Sequence, residues 1–278
     1  MVYSGLISPR ELLSRLSDGD WLVVDCRFSL SDSERGRAEY QASHIPGALY
    51  AHLDEHLSGP IVPGETGRHP LPDQKTVEAT FSNWGVSADT QVVVYDDSGG
   101  SIAGRLWWML HWQGHRACAL LDGGWQAWQE NGYPTQTEIV TRAAAEFVPR
   151  PNPALLASAA DVEDIVNGAP GVLIDSRAPE RYRGDLEPID AVAGHIPGAV
   201  NADHQLTLNK NGRFLPPDEL RSHFEKVLQG KPAGQAVFYC GSGVSAVANL
   251  IAMDIAGLEG ARLYVGSWSD WITDPAHP

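Results

Sequence analysis

Cys240 stands at the end of the apolar run Ala236-Val-Phe-Tyr239 and opens the turn Cys240-Gly-Ser-Gly-Val-Ser245, which leads into a small-residue helical stretch. Gly241 and Gly243 let the backbone curl so that successive N–H groups face the sulfur, and the positive end of the following helix adds to them. Such a cradle favours thiolate over thiol and also supports an anion carried on that sulfur, so the chemistry on offer is nucleophilic. The competing reading is a core cysteine at a strand end. Cys26, after Leu22-Val-Val-Asp25, and Cys118, in Ala117-Cys-Ala-Leu-Leu121, have no such turn and read as inert. Three scattered cysteines make no disulfide framework, and no Cys-x-x-Cys or His-rich spacing suggests a metal; neither a metal nor a cofactor is expected.

An internal repeat decides between the two readings of Cys240. Trp21-Leu-Val-Val-Asp-Cys-Arg27, His44-Ile-Pro-Gly-Ala48, Gln91-Val-Val-Val-Tyr-Asp96 and Asp122-Gly-Gly-Trp-Gln-Ala-Trp128 are answered by Val172-Leu-Ile-Asp-Ser-Arg177, His195-Ile-Pro-Gly-Ala199, Ala236-Val-Phe-Tyr-Cys240 and Val265-Gly-Ser-Trp-Ser-Asp-Trp271. Asp25 precedes His44 by 19 residues and Asp175 precedes His195 by 20; Asp96 precedes Trp125 by 29 and Cys240 precedes Trp268 by 28. Features present in both halves are what the fold demands, and a feature present in one half is a candidate for chemistry. The cysteine is one-sided, because Asp96 takes its place in the first half. Arg181 is one-sided too, standing opposite Ser31.

The elements that must position these residues alternate short apolar runs with helical stretches, the pattern of parallel strands joined by crossover helices. Strands are expected at Trp21–Val24, Ala48–Tyr50, Val92–Tyr95 and Ala117–Leu120, and again at Val172–Ile174, Ala199–Asn201, Ala236–Tyr239 and Arg262–Tyr264. Helices are expected near Pro9–Leu16, Lys75–Asn83, Gly104–Gln113 and Gly124–Asn131, then near Ala159–Asn167, Pro217–Leu228, Ser245–Ala256 and Ser267–Thr273. The first domain spans 1–133 and the second 154–278; 134–153, with late prolines at 149, 151 and 153, reads as the linker, and Ser58–Pro72 as a long surface loop. Ligands of open α/β sheets sit at the carboxyl ends of the strands, where Cys240 lies.

With 278 residues, 43% of them hydrophobic, the chain has enough for two cores. Its formal charge of −15 argues against a nucleic-acid or anionic-membrane surface, which needs clustered Lys and Arg. No run of 18 apolar residues crosses a membrane, and the first residues lack the pattern of an export signal, so a cytoplasmic address is expected.

With Asp-x-Arg, His-Ile-Pro-Gly-Ala and Gly-x-Trp-x-x-Trp in the same order in both halves, the chain resembles the tandem-domain rhodaneses, the thiosulfate and 3-mercaptopyruvate sulfurtransferases, over essentially its whole length. The resemblance implies an α/β protein of two tandem rhodanese-like domains, each a mainly parallel sheet flanked by helices, the first silent and the second carrying the nucleophile. It implies that Cys240 takes the outer sulfur of a small-molecule donor as a persulfide and passes it to a thiol, a thioredoxin-like acceptor or cyanide. The active-site loop is then Gly241, Ser242, Gly243, Val244 and Ser245. It resembles the neutral Cys-Gly-Ser-Gly-Val-Thr type that goes with mercaptopyruvate, with Ser245 for the threonine, whereas thiosulfate-preferring animal enzymes resemble Cys-Arg-Lys-Gly-Val-Thr. A neutral loop suits a keto monoanion better than an inorganic dianion.

By the same resemblance Arg181 grips the donor carboxylate. Mercaptopyruvate enzymes carry a second arginine nine residues later, where this chain has Asp190; Arg183 is the substitute candidate, with a plain surface charge as its other reading. Ser242, His44 and Asp32 are the candidates for a proton relay, though the recurrence of the histidine at 195 leaves a capping or core role equally open for His44. The expected function is sulfur transfer from 3-mercaptopyruvate, the alternatives being a thiosulfate sulfurtransferase or a persulfide relay between proteins. A phosphatase of this fold class needs an arginine six places after its cysteine, and that place holds Ala246.

Overall fold

Parallel strands covered on both faces read as continuous apolar runs, and the runs picked out above form the centres of two sheets. The computed structural model describes residues 2–277. It divides into two units, the first running through Gly59 and taking in Pro72–Asn152 and Asn211–Arg213, the second made of Pro60–Leu71, Pro153–Lys210 and the chain from Phe214 onward.

The first unit contains β1 (Leu6–Ile7), α1 (Pro9–Leu13), β2 (Trp21–Asp25), α2 (Arg35–Ala42), β3 (Leu49–Tyr50), α3 (Leu53–His56), α4 (Gln74–Asn83), β4 (Gln91–Tyr95), α5 (Ala103–Trp112), β5 (Cys118–Leu121) and α6 (Gly124–Glu130). The second contains β6 (Leu156–Ala157), α7 (Ala159–Val166), β7 (Val172–Asp175), α8 (Pro179–Arg183), β8 (Val200–Asn201), α9 (Pro217–Leu228), β9 (Ala236–Tyr239), α10 (Ala246–Ile255), β10 (Arg262–Tyr264) and α11 (Ser267–Trp271). The sheets run β1-β5-β4-β2-β3 and β6-β10-β9-β7-β8, parallel throughout. Register repeats as well, with Asp25 beside Tyr95 and Asp175 beside Tyr239. Both units start their first helix with a capping box, Ser8 with Glu11 and Ser158 with Asp161.

The repeated motifs are structural. Arg27 donates to Asp25 at 2.6 Å and to Ser43 O at 2.7 Å; Arg177 donates to Asp175 at 2.6 Å and to Gly194 O at 2.6 Å. Each guanidinium also lies over a tryptophan, Trp125 at 4.5 Å and Trp268 at 5.2 Å. Removing one member of such a buried pair costs about 3–5 kcal/mol. The edge strands β1 and β6 escape the sequence reading because two residues carry no period, and the polar helix α2 has no apolar stripe to betray it. Residues 134–152, read as linker from the sequence, pack on the first unit: Gln136 exchanges two backbone hydrogen bonds with His44, and buried Phe147 meets Phe81 edge-on. Among the described residues no helix is long and apolar enough to cross a membrane.

Candidate active site

Strand β9 ends at Tyr239 and delivers Cys240, 2% exposed, into the turn before α10. Three bonds fasten its backbone. The Cys240 N–H donates to Ser267 Oγ at 3.1 Å, Cys240 O accepts from the Trp268 N–H at 3.0 Å, and Gly241 O accepts from the Ser269 N–H at 2.8 Å. Gly243 turns the loop at φ +70°, packed so closely on Val265 that a side chain would strike its backbone. Burial pushes the Cys240 thiol up, but the Ser245 hydroxyl and the N–H groups of Ser242, Ala246 and Val244 donate to the sulfur and outweigh it, holding the thiol below its ordinary range. Cys26 and Cys118 have no such donors, and burial drives both thiols far up.

The first unit shows what the same turn does with a carboxylate. Asp96 Oδ1 accepts from the Ser98 and Gly100 N–H groups, both at 2.9 Å, and Oδ2 from those of Ile102 and Ala103, both at 2.8 Å. Its carbonyl accepts from the Trp125 N–H, as that of Cys240 does from Trp268. One difference lies next to the nucleophile: Gly124 at φ +55° is replaced by Ser267 at φ +56°, one of two non-glycine residues with positive φ among those described. The Ser267 hydroxyl is the acceptor that holds the Cys240 N–H.

Residues 60–71 supply two groups to this loop that the sequence reading left in a surface loop. Gly67 lies so tightly on α11 that a Cβ would come within 2.7 Å of Gly266 O and Ser269 Oγ, and the Arg68 N–H donates to Ser269 Oγ. The chain is thereby pinned where His69 Nδ1 lies 2.7 Å from Ser242 Oγ, both side chains buried. Arg68 pairs with Asp190. Arg181, in the middle of the short helix α8, is held by Glu187 at 2.7 Å and Asp190 at 3.0 Å. The sequence signal for His69 and Arg68 was their concentration with Gly and Pro in a single-copy, aperiodic stretch.

The other sequence candidates lie elsewhere. Arg183 forms an exposed pair with Asp185. His44 is buried in the first unit, with Nδ1 2.6 Å from Tyr40 O and Nε2 3.2 Å from Glu138 O, stacked on Tyr40; half-buried His195 repeats the Nδ1 contact and the stacking with Tyr182. Asp32 is exposed and accepts from the Glu34 N–H.

The pattern of the Rhodanese-like domain matches residues 8–131 and again 158–274. A relative from Pseudomonas aeruginosa, named "Probable 3-mercaptopyruvate sulfurtransferase", is 47% identical over 275 residues, 98% of this chain and 96% of its own. The "Thiosulfate sulfurtransferase" of Rattus norvegicus is 33% identical, covering 98% of this chain and 93% of its own. The crystal structure of SseA from Escherichia coli, described among 3-mercaptopyruvate sulfotransferases of the "Rhodanese" fold, superposes with a TM-score of 0.83 at 28% identity, over 96% of this chain and 100% of that one.

Proposed function

The chain belongs to the rhodanese-like domain family, twice over, and from that premise we propose that it is a sulfurtransferase taking sulfur from 3-mercaptopyruvate through a persulfide on Cys240. The observation that carries the reading is the cage of N–H donors around a sulfur whose thiol lies below its ordinary range. The Cys240 thiolate attacks the donor sulfur; the donor's C–S bond breaks as the S–S bond forms, and its electron pair leaves with carbon as the enolate of pyruvate. The cage then holds the persulfide anion.

The enolate needs a proton. Ser242, two residues beyond the nucleophile, and His69 form a buried pair on the Cys240 loop, and they take the relay role in this proposal. A thiol, a thioredoxin-like dithiol or cyanide attacks the outer sulfur of the persulfide and regenerates the thiolate. Arg181 holds the donor carboxylate, exchanging contacts with Glu187 and Asp190 for it.

Thiosulfate is the second reading, favoured by one observation: two guanidiniums, from Arg68 and Arg181, lie over the loop at Gly241 and would also suit a dianion. Side-by-side assays separate the two. Pyruvate release with dithiothreitol as acceptor, at a kcat/KM well above that for thiosulfate with cyanide, is the expected result; the reverse order would install the second reading.

A further inference from the structure

Two guanidiniums pack directly over Gly241. A Cβ built there would lie 2.8 Å from Arg68 Nη2, 3.4 Å from Arg181 Nη2 and 3.6 Å from Arg181 Nη1. The loop is neutral in sequence, but it carries two guanidiniums on one face. Glu187 and Asp190 balance them, with side chains only 3% exposed against 26% for Arg68 and 18% for Arg181. The acids therefore form the back of the cluster, and the cations are the part that a ligand reaches.

The way Asp190 holds Arg68 sets which edge is presented. Asp190 pairs with Nη1. Nη2 points at Gly241, and the neighbouring Nε is buried with no hydrogen-bond acceptor among the described residues. The Nε–Nη2 side of a guanidinium matches the two oxygens of a carboxylate. A buried donor without an acceptor is costly unless something meets it. Burial penalises the charge of Arg68, and the Cys240 sulfur is the charge that most supports it, which places the guanidinium within electrostatic reach of the nucleophile.

We propose that Arg68 is a second anchor for a carboxylate-bearing sulfur donor, working beside Arg181 over Gly241, with Asp190 as the residue that orients it. This rests on the sulfurtransferase reading for the identity of the donor, but the anchoring itself does not require sulfur transfer. Where relatives by resemblance carry an arginine at the place of Asp190, this chain brings the cation from residues 60–71 and uses the acid to aim it. The site thereby gains its second positive charge without a long side chain on the Cys240 loop.

Alkylation of Cys240 in the full-length protein tests the anchor without any donor. Iodoacetate carries a carboxylate and iodoacetamide does not, so the ratio of their rate constants reports a carboxylate site beside the thiolate. A change in thiol ionisation alters both rates together and leaves the ratio alone. Arg68→Gln is expected to lower that ratio about tenfold while changing the iodoacetamide rate less than about threefold, the loss of one charged hydrogen-bonded anchor. Arg68→Lys keeps the ion pair with Asp190 but not the two-pronged edge, and is expected to fall in between. A wild-type ratio in either folded variant would overturn the anchor. Donor kinetics on the same variants should show the KM for mercaptopyruvate raised about tenfold with kcat within about threefold. If wild-type protein transfers sulfur from no donor, the sulfurtransferase reading fails while the alkylation ratio still decides on Arg68.

Discussion

Asp96 and Cys240 occupy the same station in their two units, each one residue beyond a central strand, and each accepts N–H bonds from the residues two, four and six places downstream. In one unit the acceptor is a carboxylate locked in the cage by its own backbone; in the other it is the Cys240 sulfur, which in the proposed function carries a second sulfur as a persulfide. The turn is thus an anion cradle by construction, and the residue type at its mouth decides whether it is a structural plug or a nucleophile.

The plug should matter to stability. Asp96→Ala strands the donors of Ser98, Gly100, Ile102 and Ala103 and is expected to cost about 3 kcal/mol or more in urea unfolding. A loss below about 1 kcal/mol would show that these bonds are readily replaced by water.

Ionisation of Cys240 should follow its donors. The folded thiol lies below its ordinary range, so the thiolate forms on raising the pH earlier than in an unfolded peptide, and alkylation by iodoacetamide should reach half its maximum at a lower pH than that of an unstructured cysteine peptide measured alongside. Ser245→Ala removes the side-chain donor, moves that midpoint upward and lowers kcat/KM at pH 7 about tenfold, the worth of one hydrogen bond to a charged group. An unmoved midpoint would mean that the backbone N–H groups alone set the thiol.

Ser242 and His69 should behave as one device. Each single change, Ser242→Ala or His69→Gln, is expected to lower kcat for mercaptopyruvate about 10²-fold, and the double variant no further. Multiplying losses would show two independent roles.

Ser267 trades stability for position. Its left-handed backbone is of the kind that costs about 1–3 kcal/mol in a non-glycine residue, and the twin at this place is Gly124. Ser267→Gly should leave the thermal midpoint unchanged or higher while lowering kcat about tenfold, because the Cys240 N–H loses its acceptor. Equal loss of stability and activity would make Ser267 a plain structural residue.

Much of this was legible in the sequence because the chain carries its own control. Two copies of each strand and motif located β2, β4, β7 and β9, and the single cysteine in place of Asp96 marked the loop. What stayed hidden was hidden for a physical reason. Arg68 and His69 lie in a stretch without period or twin, and only folding places it beside α11. Charge was legible only in part: the loop from Cys240 to Ser245 is neutral in sequence and Arg181 was a candidate from it, but Arg68 comes to lie over Gly241 only on folding. Grafting Gly241→Arg alone should therefore crowd out both arginines and weaken transfer from either donor about tenfold or more. Only with Arg68→Ala alongside should it shift preference toward thiosulfate, as a comparison of kcat/KM for the two donors would show.

Mass spectrometry of the protein after brief exposure to donor without acceptor tests the central claim most directly. The expected result is a gain of about 32 Da, one sulfur atom, on the peptide carrying Cys240, removed by cyanide or a thiol and absent in Cys240→Ser. The same gain on Cys26 or Cys118, or on no cysteine, would contradict the account.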